Sequence, residues 1–471
     1  MNTALTKDTL LSERKDFKKR FWRMLIVIAL QNVIVYGVSL LDNIMIGGYT
    51  ELALQGVALV NQIQFLLQML IGGASDGTIV LASRFWGEKN LEGIKKTAKV
   101  ALRVALGLAA VMFIFVFFFP SAALGILTDK AHVIAEGTKY MRIVCFSYFF
   151  FAATQVLLGM LRSVETAWVG FMNSLAALCI NGILNYTLIY GHFGAPELGA
   201  AGAAIATLVS RIVEFAIVVV YLAFFDKKLH LKVSDLLSFS IDKEIFRKYI
   251  KAGLPVILSG GSWGIAQGMQ TAILGRLTDS VISANSISAT VFSIMSVLLY
   301  GAATATSVMI GKTIGQWTDA ARTEAGRDEA SLLAEIKVRS KWLQGRFLML
   351  GGLTGLGLFI MKDIIIDAYN ILPETRELAL LFMTVLSITV VGTSYQMPCL
   401  TGIVRGGGDT KFVLYNDLIF MWGLVLPSAF LAAFVFELHP VIVFICLKCD
   451  QILKCSVAVV KVNRYKWIKK F

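Results

Sequence analysis

The sequence predicts an all-α polytopic membrane protein, with twelve transmembrane helices in two six-helix lobes. A parallel repeat relates the lobes, and a central cavity lies between them. Three observations carry this reading. Of 471 residues, 57% are hydrophobic and only 16% charged, with a mean hydropathy of +0.72, which is the balance of a membrane protein and not of a soluble domain. Apolar runs long enough to cross about 30 Å of hydrocarbon occur again and again. The chain also resembles itself at a long offset.

Twelve spans follow in order: 21–46, 52–82, 97–119, 138–161, 167–191, 199–225, 247–275, 282–312, 342–362, 376–402, 411–436 and 440–462. The breaks carry turn or charge signals: Gly47-Gly48, Gly87-Glu88-Lys89-Asn90, Pro120, Pro196-Glu197, Asp226-Lys227-Lys228, Pro373-Glu374 and His439-Pro440. Residues 1–20 read as a polar cytoplasmic tail, 21–225 as the N-lobe and 226–246 as a cytoplasmic linker. The C-lobe takes 247–462, and 463–471 form a basic cytoplasmic tail. Residues 313–341 read as a second polar loop with a short helix on the cytoplasmic face. No signal peptide is expected, since the first apolar run is too long and lacks a small-residue cleavage site.

Sliding the chain by 228 residues sets Gly47 on Gly275, Gly73-Ala74 on Gly301-Ala302 and Gly87 on Gly315. Beyond an insertion within 313–341 the offset becomes 243, which pairs Arg103 with Arg346, Gly159 with Gly402, Arg162 with Arg405 and Asn173 with Asn416. Six helices are thus repeated in the same orientation, a transporter architecture whose binding sites lie near the bilayer midplane.

The net charge of +13 does not call for nucleic acid. Lys130, Lys139, Arg142, Arg276, Lys362 and Arg376 fall on the outer side, and Arg211, Lys448 and Lys454 within spans. Every other Lys and Arg lies on the side of the N-terminus, so the positive-inside rule places both termini in the cytoplasm and the chain in the cytoplasmic membrane. The six cysteines fall in apolar spans and are expected to be free thiols. Cys446 and Cys449 form a CxxC without nearby histidines, so no metal site is expected there. The four histidines fall at loops or helix ends, which argues against a histidine proton relay. No nucleophile–base or metal motif is present, which argues against an enzyme.

Asp42 is the residue that most needs an explanation. A carboxylate at membrane depth costs roughly 2.5–3.5 kcal/mol on insertion scales, so it survives mainly by facing protein or water. Gln31, Val35, Ser39 and Asp42 are spaced 3–4 residues apart, near one stripe of a helix. That stripe reads as the lining of a solvent pathway; the competing reading puts Asp42 at a helix end near the membrane surface. Where the repeats differ, polar chemistry favours the N-lobe: Asp42 pairs with Gln270, Asp76 with Thr304, Asn181 with Leu424 and Asn185 with Ser428. Asp417 is the C-lobe's own intramembrane acid. Arg211 and Glu214 read as a structural pair within one helix.

The residues at this point resemble the multidrug and toxic compound extrusion (MATE) family. LLDNIMIGGYTELALQGVALV looks like the family's aspartate-centred helix 1 and its turn. LRSVETAWVGFMNSLAALCINGILNYTLIYG and LGAAGAAIAT resemble helices 4 to 6, and GLPVILSGGSWGIAQ, ILGRLTDSVISANSI and IVRGGGDTKF fit the second lobe. The resemblance implies a secondary antiporter that expels organic, often cationic and amphipathic, compounds against an inward flow of protons or sodium. It implies that Asp42 is the coupling carboxylate, with Asn181, Asn185 and Thr207 in its network and Gln31 upstream. Asp76 is a second candidate, with simple hydrogen-bonded packing as its alternative reading. Tyr36, Ser39, Gln267 and Gln270 are candidates for the substrate cavity.

Three departures bear on mechanism. Val27 stands where the family commonly has a helix 1 proline, which the repeat retains at Pro255. Trp263 stands where some members carry a helix 7 glutamate, and Asn185 where some carry a second aspartate. Coupling is therefore expected to run through the N-lobe, with H+ or Na+ at Asp42 as the only cofactor. The expected partners are organic cations and the bilayer, with no nucleic acid, and a monomer suffices. A lipid-linked precursor flippase of the same broad superfamily is the alternative, for which more spans or a basic cavity are expected.

Overall fold

The computed structural model describes residues 7–230, 242–322, 329–369 and 371–469. Among them every element is a helix or a turn, with no strand. The helices are α1 (Lys7–Tyr49), α2 (Glu51–Gly87), α3 (Leu91–Phe118), α4 (Pro120–Gly125), α5 (Ala131–Val144), α6 (Ser147–Ser163) and α7 (Trp168–Tyr190). They continue as α8 (Ala200–Phe225), α9 (Lys243–Leu274), α10 (Asp279–Arg322) and α11 (Glu329–Asp367). Then come α12 (Pro373–Val404), α13 (Thr410–Val435), α14 (Pro440–Lys448) and α15 (Asp450–Asn463).

Nine of these helices are long and apolar enough to cross a membrane, and the α5–α6 pair, bent by 54°, makes a tenth. The two remaining predicted spans fall on α9 and on the α14–α15 pair. Helix ends follow local chemistry where it is available. Asn90 caps α3 by accepting from the Gly93 amide at 2.8 Å. Gly191, at φ +72°, closes α7 in the left-handed conformation.

Two boundaries differ from expectation. Residues from Lys7 onward are not a tail but the first turns of α1. Arg14 there pairs with Glu335 at 2.9 Å, and Phe17 and Phe21 are buried against Trp342. Residues 313–341 are not a loop carrying a short helix: α10 runs through to Arg322 and α11 starts at Glu329. Most of the predicted linker, 231–241, lies outside the described residues.

The chain forms two compact units. One comprises Leu30–Ala82 and Asn90–Gly261; the other Met1–Ala29, Ser83–Lys89 and Ser262–Phe471. The units are not the two sequence halves, because α1, α2 and α9 each contribute to both.

The repeat is visible inside each unit. In the first, a Cβ on Gly73 of α2 would lie 2.6 Å from Ile257 Cα of α9. In the second, a Cβ on Gly301 of α10 would lie 3.3 Å from the Ala29 amide nitrogen of α1. Gly73 and Gly301 are partners at the 228 offset, and so are Ala29 and Ile257. Similarly, Gly159 approaches the Ser75 carbonyl and Gly402 the Ala303 carbonyl, each at 3.0 Å from the would-be Cβ. Small residues let these backbones touch in a medium where apolar contact alone gives little association.

In the second unit, Arg84 at the end of α2 is 5% exposed. It donates to Gly407 O at 2.6 Å and Lys469 O at 2.7 Å. The Lys469 amide returns to Gly407 O at 3.0 Å, and Trp467, fully buried, packs on Gly407. The apolar core of this unit is built around Phe382 and Phe444, stacked at 4.1 Å.

Candidate functional site

The Asp42 site lies within the first unit, where α1, α7, α5 and α8 each supply a residue. Asn185 Nδ2 of α7 donates to Asp42 Oδ1 in a short contact. The same nitrogen donates to Asn181 Oδ1, one turn earlier, at 3.1 Å. Asn181 and Asn185 are both buried, and Asn185 Oδ1 has no hydrogen-bond partner. A fully buried amide oxygen without a donor is a costly arrangement in an apolar surrounding.

Tyr140 of α5 is 3% exposed, and its hydroxyl faces Thr207 and Gln64 and feels the Asp42 charge. The Thr207 hydroxyl oxygen is buried. Arg211 of α8 is coupled to Asp42 through space. It also donates to Glu214 Oε2 at 2.7 Å and lies 5.0 Å from the Phe151 ring. Asp42, Tyr140, Arg211 and Glu214 are therefore gathered with the neutral polar groups of Asn181, Asn185, Thr207 and Gln64 among otherwise apolar helices.

The predicted residues divide into separate groups. Asp42, Asn181 and Asn185 are bonded together, with Thr207 across Tyr140. Gln31 is elsewhere: its Oε1 accepts from Arg162 Nη2 at 3.2 Å, and its amide packs against Gly170. Asp76 acts on the charge of the same Arg162. Gln31 and Asp76 thus share an arginine of α6 and not the Asp42 carboxylate.

The cavity candidates are also dispersed. Tyr36 and Ser39 are exposed in the first unit, Ser39 Oγ donating back to Val35 O at 3.5 Å. Gln267 and Gln270 belong to the second unit, where Gln270 is buried with Nε2 3.3 Å from Met421 Sδ. The sequence reading missed Tyr140 and Gln64, and it read Arg211 only as a structural pair with Glu214. Tyr140 lies among charged residues near the start of its predicted span, Glu136, Lys139 and Arg142, and no pattern there points to Asp42. Among the described residues, no group of three or more His, Cys, Asp or Glu is placed to hold a metal.

A family model, MatE, matches residues 28–187, the segment that holds Asp42, Tyr140, Asn181 and Asn185. Over that segment the chain is similar to the MATE family. It is 24% identical over 438 residues to an uncharacterized transporter, YisQ, of Bacillus subtilis, covering 92% of this chain and 91% of that one. A probable multidrug resistance protein, NorM, of Thermotoga maritima is 22% identical over 100% of this chain and 97% of its own length. Among solved structures, a MATE protein in a bent conformation matches with a TM-score of 0.83 at 18% identity, covering 95% of both chains. A MOP superfamily transporter from Pyrococcus furiosus, described as having a binding pocket of reversed polarity, matches with a TM-score of 0.82 at 19% identity over 97% of both. The chain accordingly has the fold of these MATE structures, and its long apolar helices make it a multi-pass membrane protein.

Proposed function

We propose that this protein is a MATE-type secondary antiporter that exports organic, cationic or amphipathic drugs and toxic compounds in exchange for H+, coupled through Asp42. The observation that carries the reading is the orphaned, fully buried Asn185 Oδ1 beside the Asp42 carboxylate. An acceptor without a donor is relieved when a proton enters the site and makes Asp42 a donor. A sodium ion is the alternative, because carboxylate, amide and hydroxyl oxygens together suit a hard cation. Relatives named as multidrug resistance proteins supply the substrate class.

In this scheme Asp42 holds a proton in one state and an organic cation or nothing in the other. Asn181, Asn185 and Thr207 hold the carboxylate in place, and Tyr140 and Arg211 set the local field. Neutralising the carboxylate shifts the balance between outward- and inward-open arrangements. One charge moving through 100 mV supplies about 2.3 kcal/mol. The excess of Lys and Arg in alternate loops supports cytoplasmic termini and the cytoplasmic membrane. A monomer with no cofactor beyond the coupling ion suffices.

The test is fluorescent-cation efflux from proteoliposomes, driven separately by a proton and by a sodium gradient, for the parent chain and Asp42→Asn. Proton-driven efflux lost in the variant is the expected result. Sodium dependence replaces the proton with ion coordination. No efflux under either gradient from folded protein overturns the reading in favour of a lipid-linked precursor flippase.

A further inference from the structure

Buried charge recurs in the C-terminal half, away from Asp42. Lys454 of α15 is 6% exposed. Its ammonium donates to Asp417 Oδ1 of α13 at 3.2 Å and bridges to Asp450 Oδ2, one turn earlier on its own helix, at 3.1 Å. The Phe420 ring covers it, 5.8 Å away. Lys448, across the break at Cys449, acts on the charge of Asp450 and sits over the rings of Phe292 and Phe444. Asp417 from α13 and Asp450 and Lys448 from the α14–α15 pair are the charged groups that face this lysine or its partners.

Stability alone gives little reason to keep such a cluster. Buried ion pairs are often replaced by apolar side chains without loss, and each charge at membrane depth carries an insertion cost of roughly 2.5–3.5 kcal/mol. The repeat adds an independent observation. The 243 offset sets Lys454 on Arg211 and Asp450 on Thr207. Both halves therefore hold a cation at the same repeat position, buried at Lys454 and partly buried at Arg211, and in the N-terminal half that position belongs to the Asp42 site. The partners differ in one respect. Arg211 bonds a carboxylate of its own helix, whereas Lys454 is shared between its own helix and α13. Beyond Asp417, α13 passes through two π-helical turns, Met421–Val425 and Leu431–Val435, a departure from regular helix that often marks functional segments.

We propose that Asp417, Asp450 and Lys454 form a second proton-binding site, in which the ammonium is shared between two carboxylates and a proton on Asp417 leaves it to Asp450 alone. Proton binding there loosens the tie between α13 and α15. This site does not depend on the assignment of Asp42 and stands or falls separately.

The test is an infrared pH titration of the full chain in lipid nanodiscs, following the C=O stretch of protonated carboxyl groups. One titrating carboxyl is expected to disappear in Asp417→Asn and to persist in Asp42→Asn. Lys454→Met is expected to raise the proton affinity of that group at least tenfold, and Lys454→Arg to leave it within about threefold. Asp450→Asn, which gives the ammonium wholly to Asp417, is expected to lower it. Identical titrations in the parent and Asp417→Asn, or a midpoint indifferent to both Lys454→Met and Asp450→Asn, overturn the proposal. Should Asp417→Asn fail to fold, the Lys454 and Asp450 variants decide. Efflux lost in Asp42→Asn while this carboxyl still titrates leaves both sites standing.

Discussion

The Asn185 amide nitrogen is shared between the Asp42 carboxylate and the Asn181 amide oxygen, and its own oxygen is left buried without a donor. One side chain thus fixes the carboxylate's position and also holds the acceptor that an incoming proton or cation would satisfy. Asn185→Asp sets a second carboxylate against the first, and like charges this close raise the affinity of the pair for a proton. The pH dependence of efflux is expected to move upward by about one unit, read from initial rates over a pH series. Asn185→Leu removes donor and acceptor together and is expected to lower efflux more than tenfold.

Gln31 is tied to Arg162 and not to Asp42. Gln31→Leu leaves a buried guanidinium short of one acceptor and is expected to cost about 1–3 kcal/mol of stability. The pH profile of the remaining efflux is expected to match that of the parent. Thermal unfolding in detergent measures the first effect and proteoliposome efflux the second. A displaced profile would return Gln31 to the coupling network.

At Gly73, a methyl group would press on the backbone of Ile257. Gly73→Ala is expected to lose about 1–3 kcal/mol through forced separation of α2 and α9, seen as a lower unfolding midpoint. Gly268→Ala is the control: nothing lies within 4 Å of its would-be Cβ. There the helix preference for alanine is expected to raise stability by roughly 0.5–1 kcal/mol.

Asp242 precedes α9, where its Oδ1 accepts from the Glu244 and Ile245 amides and its Oδ2 from Lys96 at 2.9 Å. The Lys96 hydrogen bond first, and the backbone donors after it, hold this carboxyl below the ordinary aspartate value. A carboxyl lowered on folding stabilises the fold above its unfolded value, and that contribution is lost as pH falls through the folded value. The unfolding midpoint is therefore expected to decline in the acid range more steeply for the parent than for Asp242→Asn. The effect is small because the pair is exposed to solvent. Equal slopes in the two proteins would remove Asp242 from the account.

The spans and the repeat were legible because they depend on properties a sequence displays directly: apolar length, and small residues recurring at a fixed offset. The close approaches at Gly73 and Gly301 are that offset realised in space. Helix ends were less legible. The charged start of α1 is helical because Arg14 meets Glu335, 321 residues away, and no local signal announces such a partner. The stripe from Gln31 to Asp42 read as one lining, whereas in the fold Gln31 meets Arg162 and Asp42 meets Asn185. Eleven helical residues span roughly 16 Å, so residues on one stripe can face different neighbours. The polar partners of Asp42 on α7 were within reach of resemblance. Tyr140 and Arg211 required knowing which helices pack together.

Arg84 closes on Gly407 and on Lys469, the latter 385 positions further along the chain. At about 5–20 residues per second of synthesis, α2 is made roughly 20–80 s before its second partner exists. Through that interval its end carries a guanidinium that lacks the Lys469 carbonyl and that the finished protein almost wholly buries. The second unit therefore cannot be assembled in the order in which it is translated. It has to wait, with α2 already made, for a short segment delivered much later, and mutations near Trp467 are expected to act on the yield of folded protein before they act on transport.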